Sequence, residues 1–203
     1  MAIRPAGSRQ ITVRLFFLLA ALTLPSGLSA QAVPRFDVFG GFSAMRFDSP
    51  PIGFADYSYL EGWNFGADGN LTHSWGVAID ASGHYGSQLN VYQFLIGPQY
   101  SFRREKYRFF AHGFFGKAQN TVTLSEPIFN GNIQQATRNG FESVGRAWGG
   151  GGGFDWDFRP RISIRVFQAD FLANQTFFAT QYNVRVSTGV VFHFGQVGRR
   201  RTR

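Results

Sequence analysis

Trp75-Gly76-Val77-Ala78-Ile79-Asp80-Ala81-Ser82-Gly83-His84-Tyr85 is the stretch on which the fold turns. Read with a period of two, Trp75, Val77, Ile79, Ala81 and Tyr85 share one face. Gly76, Ala78, Asp80, Ser82 and His84 share the other. That period belongs to an extended strand, whose successive side chains point to opposite sides. The stretch that follows repeats it: Tyr92, Phe94, Ile96, Pro98, Tyr100 and Phe102 lie against Gln93, Leu95, Gly97, Gln99, Ser101 and Arg103. One face is aromatic and bulky. The other is small, polar and charged.

Outward from this pair the same pattern recurs. Trp63, Phe65, Ala67 and Leu71 oppose Asn64, Gly66, Asp68 and Asn70. Trp148, Phe154, Trp156 and Phe158 oppose Gly149, Gly151, Gly153, Asp155 and Asp157. Val184, Val186, Thr188, Val190, Phe192 and Phe194 oppose Arg185, Ser187, Gly189, Val191 and His193. Three noisier segments, Arg35–Phe47, Tyr107–Ala118 and Ile162–Phe171, bring the number of expected strands to eight. In the last of them Gln168 and Asp170 fall on the apolar register, which marks a bulge or a membrane boundary.

Segments of about ten alternating residues separated by turn residues are the signature of a transmembrane β-barrel. A lipocalin-like soluble barrel would have the opposite polarity, apolar inside and polar outside. Lipid offers no hydrogen bonds, so the sheet must close on itself. The connections alternate in length. Thr72–Ser74, Arg104–Lys106 and Arg159–Arg161 are short, Gly86–Asn90 is intermediate, and Asp48–Leu60, Gln119–Gly145 and Leu172–Gln181 are long. Short turns belong to the periplasmic side and long loops to the outside. The expectation is an all-β, eight-stranded, antiparallel up-and-down barrel over 33–194 in the outer membrane, with both termini periplasmic.

The ends of the chain read differently. Arg4, Arg9 and Arg14 precede the apolar run Leu15–Leu24, and Ala30-Gln31-Ala32 has the form that a signal peptidase cuts. Residues 1–32 are expected to be a signal peptide cleaved after Ala32. Residues 195–203 form a basic tail carrying Arg199, Arg200, Arg201 and Arg203. All but one unit of the net charge of +8 resides in these two ends: between Val33 and Phe194 there are 13 basic and 12 acidic residues. The body therefore has no basic stripe for nucleic acid. With no cysteine there is neither a disulfide nor a lipidated N-terminus.

Two stretches resemble the small outer-membrane β-barrel domain family of the OmpA and OmpX kind. Phe36-Asp37-Val38-Phe39-Gly40-Gly41-Phe42-Ser43 is similar to the opening strand of that family. Ser187-Thr188-Gly189-Val190-Val191-Phe192-His193-Phe194 is similar to its C-terminal assembly signal. The resemblance implies that the barrel assembly machinery reads Ser187, Gly189, Phe192 and Phe194. Here the chain runs on past Phe194 into the basic tail.

Little in the sequence points to catalysis. His73, His84, His112 and His193 form no metal-ligand spacing, and nothing calls for a cofactor. Ser82 and His84 point inward together, where polar filling of the lumen is the simpler reading. Gly149–Gly153 lacks the residues of a phosphate loop. Its expected role is to make room for bulky partners such as Phe110 or Phe114.

The inward charges are more telling. Asp37, Asp68, Asp80, Asp155 and Asp157 match Arg103, Arg108, Arg165 and Arg185 in sign, so a salt-bridge network plugging the lumen is expected. Phe54, Tyr57, Tyr59, Phe177 and Phe178 in the long loops belong to an aromatic girdle or to contacts with surface ligands. The expected function is that of a non-enzymatic envelope protein, structural or surface-binding through its loops. Its partners would be outer-membrane lipid and the assembly machinery. A narrow pore for small solutes is the alternative, and a lipid-modifying barrel enzyme comes third.

Overall fold

The structure is a computed structural model that describes residues 33–49, 57–130 and 133–195, without the side chains of 124–139. The expected signal segment 1–32 with its cleavage point, Phe54, Gly131 and the tail beyond Gly195 lie outside the described residues.

Eight strands form: β1 Phe36–Phe47, β2 Ser58–Asn70, β3 Trp75–Tyr85, β4 Leu89–Arg104, β5 Tyr107–Asn130, β6 Ile133–Arg159, β7 Ile162–Thr176 and β8 Ala179–Phe194. Each pairs antiparallel with its neighbours in sequence, and β8 pairs with β1 to close the barrel. The closing seam is tight. A Cβ on Gly189 would come within 2.5 Å of the Gly41 Cα directly opposite, so the two strands meet there only because both residues are glycine.

The polarity is that of a barrel in lipid. Exposed side chains around the outside include Phe42, Trp63, Phe65, Trp75, Phe94, Phe109, Phe115, Trp156 and Phe192. Asp37, Ser43, Asn64, Asp80, His84, Gln93, Asp155 and Arg185 are buried within. In water such an apolar wall would far exceed the few hundred Å² that a soluble monomer tolerates. Against acyl chains it is what the solvent selects.

β7 departs from strict alternation. The β6–β7 ladder skips a residue after the Phe154–Phe167 pair, and the β7–β8 ladder shifts between Arg165 and Gln168. Val166 and Phe167 both face outward as a result, and Gln168 and Asp170 return to the lumen. A bulge in lipid frees a backbone carbonyl that water cannot satisfy. The Thr188 hydroxyl donates to the Arg165 carbonyl at 2.9 Å, which explains a hydroxyl on the lipid face of β8.

Two expected loops are corrected. Gln119–Gly145 is mostly paired strand: β5 and β6 run together until Asn130 stands opposite Ile133. Leu172–Gln181 shrinks to the turn Phe177-Phe178, since β7 reaches Thr176 and β8 begins at Ala179. β2 likewise starts at Ser58, inside the expected first loop. Polar residues conceal strands here because a ribbon in water needs no apolar face toward lipid. The connections β2–β3, β4–β5 and β6–β7 form one end of the barrel, hereafter the turn end. The other four connections form the hairpin end.

Candidate functional site

The strand phase sends one polar file from each strand into the lumen, and barrel closure brings these files together. Near the turn end Arg108 on β5 is the hub. Its Nη1 donates to Asp37 on β1, its Nε and Nη2 donate to Asp155 on β6, and Asp68 on β2 lies 3.6 Å away. Arg165 Nε donates to Asp155 at 2.9 Å. Arg103 lies 3.8 Å from Asp37 and donates to the His73 carbonyl and Asn70 Oδ1. His193 Nδ1 stands 2.6 Å from Asp37 Oδ1. Three carboxylates thus meet three guanidiniums, as a dry interior requires.

A second cluster lies toward the middle. Arg185 on β8 donates to Asp80 on β3 at 2.7 Å and to Asp170 on β7 at 2.7 Å, spanning the lumen. His112 Nε2 stands 2.7 Å from the other Asp170 oxygen. Gln168 joins the clusters, accepting from Arg165 at 2.6 Å and donating to Asp170 at 2.9 Å. Asp170, His112 and Gln168 were absent from the charge network read in the sequence. The parity of β7 put Asp170 toward lipid until the bulge reversed it. The clue was the misfit itself, a carboxylate on a face where lipid forbids one.

Of the nine charges read as the network, Asp157 stands apart. Its side chain is 42% exposed at the turn end, where it accepts from Ser163 and lies 4.0 Å from His193 Nε2. Among the described residues no arginine reaches it at ion-pair distance. Ser82 and His84 do not bond each other: His84 Nε2 meets Ser43 at 2.9 Å, and Ser82 receives Arg185 at 3.0 Å. In the glycine run, a Cβ on Gly153 would lie 2.6 Å from Phe110 Cζ, so this residue leaves room for that ring. In the proposed assembly signal, Phe192 and Phe194 face outward. Ser187 donates to Ser43 across the closing seam at 2.9 Å.

Above the charges the filling turns to amides and then to apolar groups. Gln93 donates to Asn174 at 2.8 Å, and Asn120 donates to Thr176 at 2.6 Å. At the hairpin end Met45, Phe47, Leu60, Leu89, Val91 and Val122 form a buried apolar cap, with Phe177 packed on it. Nothing in the alternation announces this cap, because its members occupy lumen positions at the strand ends. Among the described residues Asn64 Oδ1, His84 Nδ1, Asn120 Oδ1 and Asn174 Nδ2 have no protein partner, and they are where buried water belongs. At the turn end a recess of about 360 Å³, lined by Arg103, Lys106, Arg108, Asp157, Arg159 and His193, has Arg108 in its wall. Among the described residues no group of three His, Asp or Glu is placed to hold a metal ion.

Beyond the barrel rim one ribbon continues among the described residues. The last β4 partner of β5 is Val122, and the last β7 partner of β6 is Arg146. From Leu124 to Asn130 β5 pairs with β6 alone, a projection of roughly 24 Å at about 3.4 Å per residue. Beside it, the β7–β8 turn holds two left-handed phenylalanines, with φ of 51° at Phe177 and 62° at Phe178. The Phe177 N–H donates to Ser143 on the ribbon at 2.8 Å, while Phe178 is fully exposed.

No protein-family model matches the chain, and no curated protein matches it in sequence. In fold it is similar to Ail, the attachment invasion locus protein of Yersinia pestis. The identity is 13%, with 79% of this chain and 99% of that one covered and a TM-score of 0.54. It is also similar to Neisserial surface protein A: 12% identity, 81% and 100% coverage, TM-score 0.57. Ail has also been solved with the heparin analogue sucrose octasulfate, and that structure matches at 14% identity, 79% and 99% coverage, and a TM-score of 0.52. At these identities the likeness is one of fold, and that fold is the small eight-stranded outer-membrane barrel.

Proposed function

We propose that this chain is a non-enzymatic outer-membrane barrel that displays a binding surface outside the cell, its lumen serving as a structural plug. The observation that carries this reading is the β5–β6 ribbon. About ten residues of tilted strand suffice to cross the membrane, whereas β5 has 24 and β6 has 27. The excess lies entirely at the hairpin end. Charge pairs and the apolar cap occupy the lumen, so they support a plug rather than a conduit. The hairpin end, which carries the projecting ribbon, then faces outward and both termini face the periplasm, in keeping with longer extracellular than periplasmic segments in such barrels. The names of the two similar structures, an attachment protein and a surface protein, run in the same direction.

The test is to replace residues 123–140 with an Asn-Gly turn, which leaves the Val122–Phe141 pair to flank it, and to measure cell-surface adhesion beside the intact chain. The shortened protein is expected to keep the heat-modifiable mobility of a folded barrel and to lose adhesion. Undiminished adhesion by the shortened, folded barrel overturns the reading.

A further inference from the structure

Lys117 on β5 and Arg146 on β6 stand directly opposite each other in the ladder. Both are exposed on the lipid-facing side, in phase with Phe115 and Trp148, the next outward pair below them. Like charges directly opposite each other weaken a sheet. Among the described residues no carboxylate reaches ion-pair distance of either. The nearest outward acid along β6 is Glu142, four residues or about 13 Å from Arg146. It receives a hydrogen bond from Gln119 at 3.4 Å. The sheet therefore holds two adjacent cations whose repulsion nothing in the described chain relieves.

Their depth says what would relieve it. Tyr107 and Trp156 form an opposing outward pair at the turn end, ten residues along each strand from Lys117 and Arg146. Ten residues span about 34 Å, or about 26 Å along the barrel axis at a tilt of about 40°. The apolar band of such barrels is about 25 Å tall. The two cations thus stand at its far edge, the level of lipid headgroups. Phe94 is opposite Lys117 on β4, and exposed Gln175 is opposite Arg146 on β7. Two cations and an amide sit beside Phe94 and above an aromatic floor of Phe115 and Trp148. This arrangement suits a phosphate whose carrier continues downward as acyl chains.

We infer that Lys117, Arg146 and Gln175 bind the phosphate of an outer-leaflet glycolipid of the lipid A class. The inference rests on the outer-membrane reading, with the hairpin end outside. The aromatic floor favours a lipid over a free anion, because a soluble phosphate has nothing to lay on Phe115 and Trp148.

Native mass spectrometry of the full barrel in detergent tests it, with phosphorylated lipid A, the same lipid dephosphorylated, and phosphatidylcholine as probes. The wild-type barrel is expected to retain phosphorylated lipid A selectively. A Lys117→Gln, Arg146→Gln double variant should bind it roughly thirtyfold more weakly, the effect of losing two interfacial cations. Lys117→Glu gives Arg146 a partner, so that barrel should stay folded, resist urea better and lose the lipid. Equal retention of the dephosphorylated lipid, or unchanged binding by the double variant, overturns the site. Displacement by millimolar inorganic phosphate alone shows a free-anion site and overturns the lipid assignment. Heat-modifiability is measured on each sample. A wild-type chain lacking it refutes the outer-membrane barrel itself, whereas a heat-modifiable barrel without lipid preference refutes only this site.

Discussion

Replacing Arg185 with methionine removes the central tie of the lumen. Arg185 is fully buried and reaches from β8 to Asp80 on β3 and Asp170 on β7. Methionine fills a similar shape without charge, so the loss falls on two buried carboxylates. Asp80 keeps the Asn64 amide at 2.7 Å, and Asp170 keeps His112 and Gln168. Removing one partner of a buried ion pair typically costs about 3–5 kcal/mol. The surviving donors place Arg185→Met near the lower end, about 3 kcal/mol. Adding Asp80→Asn and Asp170→Asn removes the stranded charges. The triple variant should recover most of the loss, because an uncharged buried set is often as stable as a paired one. Urea titration in lipid vesicles measures this through the four tryptophans, Trp63, Trp75, Trp148 and Trp156, all on the outer wall. A single-variant loss below about 1 kcal/mol, or a triple variant no more stable than the single, would refute the view that these charges hold the lumen together.

Four further outcomes follow from the same geometry. Phe178→Gly should stabilise the barrel by about 0.5 kcal/mol in the same titration, since relief of a left-handed φ outweighs the entropy that glycine loses; destabilisation would mean that the exposed ring has a contact on the barrel. Deleting Val166 should remove the β7 bulge, preserve the lumen phase of Gln168 and Asp170, and keep the heat-modifiable gel shift at a cost on the order of 1 kcal/mol. Deleting Val77 from unbulged β3 turns its remaining side chains to the wrong face and should abolish that shift. In planar bilayers the wild-type chain should show no steady conductance; a steady current that Arg165→Ala leaves unchanged counts against the plug.

How much could be read beforehand differs from strand to strand. In β3, β4 and β8 the chemistry of each face is uniform, so phase, wall and lumen followed from parity alone. Trp75 and Phe94 went outward, and Asp80 and Arg185 inward, as the alternation indicated. β7 resisted because a bulge changes parity within one strand. The bulge is held by Thr188, a residue of another strand. The β5–β6 ribbon resisted for a different reason. Past the rim both faces meet water, the alternation vanishes, and a paired strand looks like a polar loop. Phe177 and Phe178 looked like ordinary loop aromatics, and their left-handed backbone is visible only once the strands leave two residues for the turn.

By itself the sequence determined, for strands without a bulge, which side chains face lipid and which face inward, because a strand's period is a local property of the chain and lipid rejects charge. It also determined the number of strands, but not the lengths of the connections, since the expected long loops Gln119–Gly145 and Leu172–Gln181 are mostly strand. Only the tertiary structure decided which charge meets which. Asp37, Asp68 and Asp155 come from three strands to one arginine, and Arg185 spans the lumen to Asp80. Such pairings depend on register and on closure of the β1–β8 seam. The same holds for Lys117 and Arg146, 29 residues apart in the chain and side by side in the sheet. Parity assigns a face; only the ladder assigns a neighbour.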